Sequence, residues 1–162
     1  ILSVIQNKPI DKILELEDDY EFVEGKEKIR LVKTRVNQND FRQRILASYN
    51  EKCCITGISF PSLLVASHII PWSKNTQERL NPRNGICLNN IHDKAFDKGL
   101  LTITTDFKVK LSDTILQKRK DINIQKYFIE YENQPIILPD RFSPSIEFLE
   151  YHHQNIFNKI NL

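Results

Sequence analysis

Two features of this chain have the residue types and spacing to act together chemically. The first is His68, set in the apolar run "LLVASHIIPW" from Leu63 to Trp72. A histidine in such a run is ordinarily a core residue with both ring nitrogens satisfied. Its unperturbed pKa of roughly 6.5 also lets it take a proton from water at neutral pH. The second is the carboxylate pair Asp93 and Asp97 in "NNIHDKAFDKG". A spacing of four places both on one face of a helix. Each has an everyday explanation: Asp93 favours a helix N-terminus, and Asp97 can pair with Lys94 or Lys98. Yet Asp97 falls in the last turn, where the helix dipole disfavours an anion, and a bound cation would supply a reason. Hard oxygen ligands suit Mg²⁺, which keeps several waters and needs only a couple of protein carboxylates. A base facing a metal is a combination that hydrolyses phosphodiesters.

The elements that must position these groups are readable from periodicity. "LLVASHII" reads as a strand closed by Pro71, and "NGICLN" as a second strand after a polar loop over 73–83. "NNIHDKAFDKG" then reads as a helix of about two turns, with Asn90 as cap and Gly99 as stop. Upstream, "KIRLVKTRV" alternates like a half-buried strand, and residues 36–39 break it. "NDFRQRILASYN" has Phe41, Ile45, Leu46 and Tyr49 at helical spacing, with Asn39 or Asp40 as cap. "CCITG" reads as a short strand into a turn at Gly57. "LLTIT" and "KVKLS" flank a turn and predict a hairpin. "DINIQKYFIEYENQPIILP" predicts a helix and then a short strand, and "SPSIEFLEYHHQNIF" a helix opened by Pro144.

The chain has 162 residues, 40% hydrophobic and 27% charged, which suits one soluble domain with a real core. There is no long apolar run of the kind that spans a membrane, and no signal-peptide pattern. Three cysteines, Cys53, Cys54 and Cys87, make a poor disulfide framework and suit a reducing, cytoplasmic setting. Net charge is only +2, but Asp11–Glu24 holds seven acidic residues and one lysine, while Lys26–Lys52 holds eight basic and three acidic. Such a basic stretch is either a solvated face or a phosphate-binding surface. Residues 1–25 are expected to be a linker or peripheral segment, and 26–162 the domain, with its core at about 53–103. The sequence contains no methionine, so residue 1 is read as lying within a longer chain or at a trimmed end, and an N-terminal target-recognition domain absent from this chain is an expectation alongside.

The spaced set "CCITG … LLVASHIIPW … NPRNGICLNNIHDKAFDKGLLTI" resembles the HNH endonucleases, the ββα-metal nucleases, in the branch found in bacterial restriction-type enzymes. "KTRVNQNDFRQRILASYNEKCCITG" and "ILPDRFSPSIEFLEYHHQNIF" are similar to that branch too, so the likeness runs from about residue 30 to 157. It implies an α+β fold, with a ββα-metal core, flanking helices and a small β-hairpin. By position, His68 matches the family's general base and Asn84 the central asparagine that braces the loop and orients the histidine. Asp93 matches the metal-binding third position, Asp97 a further ligand four residues later, and His92 is the alternative to Asp93 after a one-residue shift. Many relatives carry Asp or His directly before the general base, where this chain has Ser67. No C-x-x-C pair is present for a structural zinc, so the cysteines read as small buried apolar residues. Trp72 reads as packing at the loop entrance, with base stacking as the lesser alternative.

The function implied is a restriction-type DNA endonuclease domain that uses a histidine base and one Mg²⁺ or Mn²⁺ ion on double-stranded DNA. Lys33, Arg35, Arg42, Arg44, Lys74, Arg79, Arg83, Lys94 and Lys98 are the candidate phosphate contacts. Cutting both strands calls for two active sites, so a homodimer is expected. The competing reading, favoured by Ser67, is a non-catalytic nucleic-acid-binding or assembly module on the same scaffold. The site chemistry alone does not separate DNA from RNA.

Overall fold

The computed structural model describes residues 35–157 and 159, with side chains from residue 38 onward. All lie in the unit Lys33–Leu162. The segment 1–25, the boundary at 25/26, Lys33 and most of the "KIRLVKTRV" strand lie outside the described residues. Among those described, no helix is long and apolar enough to cross a membrane.

The first element, α1 (Arg35–Ser48), starts earlier than the sequence suggested. Residues 36–39 do not break it, and neither Asn39 nor Asp40 caps it. Gln38, Asn39 and Asp40 lie on its exposed face, so their polarity marks solvent rather than a boundary. The expected stripe of Phe41, Ile45, Leu46 and Tyr49 is buried. The "CCITG" segment is a turn and not a strand. Gly57 takes a left-handed φ of +72° there and donates its N–H to the Cys53 carbonyl.

Two strands follow, β1 (Leu64–His68) and β2 (Gly85–Asn89), paired antiparallel with His68 opposite Gly85. The α2 helix (Asn90–Asp97) completes a ββα unit. Its cap is Asn89, one residue before the expected Asn90: the Asn89 side chain accepts from the backbone N–H groups of Ile91 and His92. Its stop is the expected Gly99, at φ +66°. The Gly99 N–H reaches the Phe96 carbonyl and the Leu100 N–H the Ala95 carbonyl, a Schellman ending.

The predicted hairpin is β3 (Leu101–Ile103) with β4 (Val109–Leu111). Short helices α3 (Asp113–Leu116) and α4 (Ile122–Tyr127) come next. The strand expected after α4 is absent. Only an isolated bridge between Lys108 and Pro135 forms there, since Pro135 has no N–H to extend a ladder. The last helix, α5 (Ile146–His152), continues as a π-helical turn over His153–Phe157. His152 is buried against Phe96 and bonded to Thr102 Oγ1 and the Phe96 carbonyl, which ties α5 to the C-terminal end of α2.

One close approach sets the site. A Cβ at Gly85 would lie 2.5 Å from Ile45 Cδ1 and 2.7 Å from Phe41 Cζ. The missing side chain therefore lets α1 settle on the sheet directly opposite His68. Gly85→Ala should destabilise the fold by about 1–3 kcal/mol through overpacking. The check is a lowered denaturant midpoint at unchanged slope.

Candidate active site

His68 ends β1 half-buried, with its ring fixed on three sides. Phe41 of α1 stacks on it with centroids 4.1 Å apart and planes 11° apart. Trp72 meets it edge-on at 5.5 Å and 82°. Its Nε2 lies 2.8 Å from the Arg79 carbonyl oxygen. A carbonyl only accepts, so Nε2 carries the proton and the neutral ring presents its lone pair at Nδ1. Burial pushes the His68 pKa below its ordinary value, while the Arg79 carbonyl opposes the shift. The ring is thus kept neutral and in one tautomer, the form a general base needs.

Asn84 sits immediately before β2, between the end of β1 and the loop that follows it. It is buried, its Oδ1 accepts from the Ile70 N–H at 2.8 Å, and its Nδ2 donates to the carbonyls of Ile70 and Glu78. The Ile69 N–H bonds the Asn84 carbonyl as well. One asparagine thereby holds both the exit of β1 and the far end of the 71–81 loop, whose Arg79 carbonyl fixes His68.

A cleft of about 460 Å³ is lined by His68, Ser67, Trp72, Asp93, Lys94, Asp97 and Lys98, among others. The structure therefore brings His68 and the carboxylate pair onto one solvent-reachable surface. A second depression, of about 280 Å³, shares His68, Trp72, Val65 and Ala66 with it and extends to Arg42 and Gln38. Among the described residues neither Asp93 nor Asp97 forms an ion pair, so neither Lys94 nor Lys98 neutralises them by contact. Asp97 is raised above the usual carboxylate range by desolvation and then by the Asp93 charge, against the pull of Lys94 and Lys98. Two anions held this close favour a cation between them.

The donor set fits a hard divalent ion held through few protein ligands and several waters. Among the described residues no group of three or more His, Cys, Asp or Glu side chains gathers to enclose a metal. Ser67, also on the cleft wall, is 2% exposed, and its Oγ has no partner among the described residues. An orphaned buried hydroxyl is costly, and at this place a water or ligand oxygen would satisfy it.

His92 is not an alternative to Asp93. It is buried away from the cleft, with Nδ1 on the Asn89 side chain and Nε2 on the Tyr127 carbonyl at 2.7 Å, and it packs against Phe128 and Tyr131. Nδ1 is used at the cap of α2 and Nε2 in tying α2 to α4, so neither nitrogen is left for a metal.

The expected phosphate contacts separate into groups. Lys94 and Lys98 are exposed at the cleft, and Lys74 is exposed on the loop. Arg42 is committed to the fold, donating to the carbonyls of Leu64 and Pro61 at the entrance of β1. Arg44 pairs with Asp40 on the surface, and Arg83 reaches the Ser143 carbonyl. Arg79 donates from Nε to the Trp72 carbonyl, with its guanidinium over the Trp72 ring. The Arg35 side chain and Lys33 lie outside the described residues. Sequence reasoning missed Phe41 as the seat of His68 and Gly85 as the gap that admits it. The first signal was there, since Phe41 heads the buried stripe of α1. The three cysteines are buried and free, as expected, with the Cys54 N–H on the Cys87 carbonyl.

Residues 53–104 match the family model described as HNH endonuclease. A solved structure titled "Modification dependent TagI restriction endonuclease" shares the fold, with a TM-score of 0.55 at 18% identity. The likeness covers 78% of this chain but 40% of that one, so this chain spans about two fifths of that protein's length. No curated protein matches the chain. The ββα unit, with its histidine strand and its carboxylate helix, falls inside the residues that match the HNH endonuclease model.

Proposed function

We propose that this chain is the catalytic domain of a restriction-type endonuclease that hydrolyses phosphodiester bonds in double-stranded DNA. The carrying observation is that His68, with Nε2 on the Arg79 carbonyl, lines the same cleft as Asp93 and Asp97, which form no ion pair among the described residues. His68 Nδ1 takes the proton of the attacking water. Asn84 holds the loop that presents the Arg79 carbonyl to Nε2. Asp93 and Asp97 would hold one Mg²⁺ or Mn²⁺, which when bound supplies positive charge for the phosphate and the leaving oxygen. Ser67 Oγ is free to bond a water or phosphate oxygen in the cleft, and Lys74, Lys94 and Lys98 supply cations for the backbone. The expected products carry a 5′-phosphate and a 3′-hydroxyl. A homodimer would provide the second site for the second strand, and the free cysteines suit a cytoplasmic setting.

The test is incubation with plasmid and short duplex DNA, including modified bases, in Mg²⁺, Mn²⁺ or EDTA, with an RNA duplex in parallel. Metal-dependent nicking or linearisation of DNA, abolished by EDTA, is the expected result. DNA binding without cleavage of any substrate would replace the nuclease with the binding module. An affinity that did not fall between low and high salt would count against a phosphate-tracking surface.

A further inference from the structure

Arg79 belonged to the cations expected to meet phosphate, but its side chain is engaged within the protein. Its Nε donates to the Trp72 carbonyl at 2.8 Å, and its guanidinium carbon sits 4.8 Å from the Trp72 ring centroid. One side chain therefore ties position 79 back to position 72, across the loop that leaves β1. Its own carbonyl is the acceptor for His68 Nε2. The Asn84 side chain holds the adjacent Glu78 carbonyl, and Trp72 presents its ring edge to His68. Backbone acceptor, guanidinium and indole thus form one closed set around the imidazole.

We propose that Arg79 is a positioning residue for His68: its guanidinium, docked on Trp72, fixes the Arg79 carbonyl that selects the Nε2–H tautomer. The catalytic consequence rests on the nuclease reading above; the tautomer selection does not. The Asn84 side chain and the Asn81 N–H both bond the Glu78 carbonyl, which closes a turn over 78–81 but leaves its central 79–80 peptide, whose carbonyl is the acceptor, held by neither. Without the guanidinium, the 79–80 peptide is free to turn its carbonyl from the ring, and the Nδ1–H form competes. That form puts the proton on Nδ1, the nitrogen whose lone pair the proposed base step uses. Lysine does not substitute, because an ammonium cannot lie flat on an indole while donating sideways to a carbonyl.

The experiment records the imidazole nitrogen resonances of the metal-free protein, with His68→Gln to assign the His68 signals among those of the other histidines. It compares wild type, Arg79→Ala and Arg79→Lys. Wild type should show His68 in a single Nε2–H form, and both variants a mixture of tautomers. In cleavage kinetics, kcat should fall about 10- to 100-fold in both variants, with KM within about twofold and the salt dependence of binding unchanged. If Arg79→Ala does not fold, Arg79→Lys carries the comparison. An unchanged tautomer in the variants overturns the proposal. So does a loss confined to KM and salt dependence that Arg79→Lys restores, which would mark a phosphate contact. If wild type cuts no DNA, the nuclease reading fails while the tautomer comparison still decides the role of Arg79.

Discussion

His68→Ala should lower the DNA cleavage rate by roughly 10²- to 10⁴-fold, the usual contribution of a positioned general base. Alanine also removes the ring that Phe41 stacks on, so a fold defect could imitate a catalytic one. His68→Gln separates the two. Its amide can still donate to the Arg79 carbonyl but offers no basic nitrogen, so it should keep the fold and lose the rate. The pH profile is a second signature. Neutral imidazole is the active form, so the rate should rise as pH increases through the His68 pKa and then level off. Burial moves that pKa down, which places the rising limb below about 6.5. The charged groups around it are Arg42 from α1 and Asp93, Lys94, Asp97 and Lys98 from α2. A profile whose limb survives in His68→Gln would assign the base elsewhere.

Asp93→Asn combined with Asp97→Asn should abolish metal-dependent cleavage while leaving the fold as stable or more so. Outer-shell partners of metal ligands typically cost 10- to 100-fold when removed, so losing two direct ligands should weaken Mg²⁺ activation by at least ~100-fold. Stability should change little. Asp97 is the last residue of α2, where an anion opposes the helix dipole, and neutralising it should gain about 0.3–1 kcal/mol, while Asp93 lies in the first turn, where its charge favours the dipole and its loss should cost a similar amount. Relief of the repulsion between the two carboxylates then tips the balance slightly toward the variant. Added Mg²⁺ or Mn²⁺ should raise the melting temperature of wild type and not that of the double variant, because only a ligand bound to the folded state stabilises it. Loss of stability with activity retained would make the pair structural and remove the metal from this site.

The ββα order was legible because each element carries its own local signal. β1 is an apolar run ended by Pro71, and α2 has an asparagine cap and a glycine stop. The errors arose where local polarity was read as a boundary. The 36–39 stretch looked like a break but lies within α1, with Gln38 and Asn39 exposed and the packing supplied by Phe41 and Ile45. "CCITG" looked like a strand but bends at once, with Gly57 bonded back to Cys53. Asn89 and Asn90 were equivalent as caps by composition, and only the backbone angles at the end of β2 chose Asn89.

For the candidate site, residue types and spacing marked a strand histidine and an i,i+4 carboxylate pair as candidates, and the resemblance to HNH endonucleases added Asn84. Spacing fixes which residues share a helix face, and a run's apolar character marks where a strand must bury. Tertiary structure decided what each can do. It separated Asp93 from His92, because a ring with both nitrogens bonded in the core has nothing left to offer a metal. It engaged Arg42 with the Leu64 and Pro61 carbonyls and tied Arg79 to the Trp72 carbonyl, partners that only folding brought near. It also selected the tautomer of His68 through a carbonyl eleven residues away in the chain. Sequence spacing carries no information about which backbone oxygen will lie beside a ring, since that depends on how the intervening loop is held.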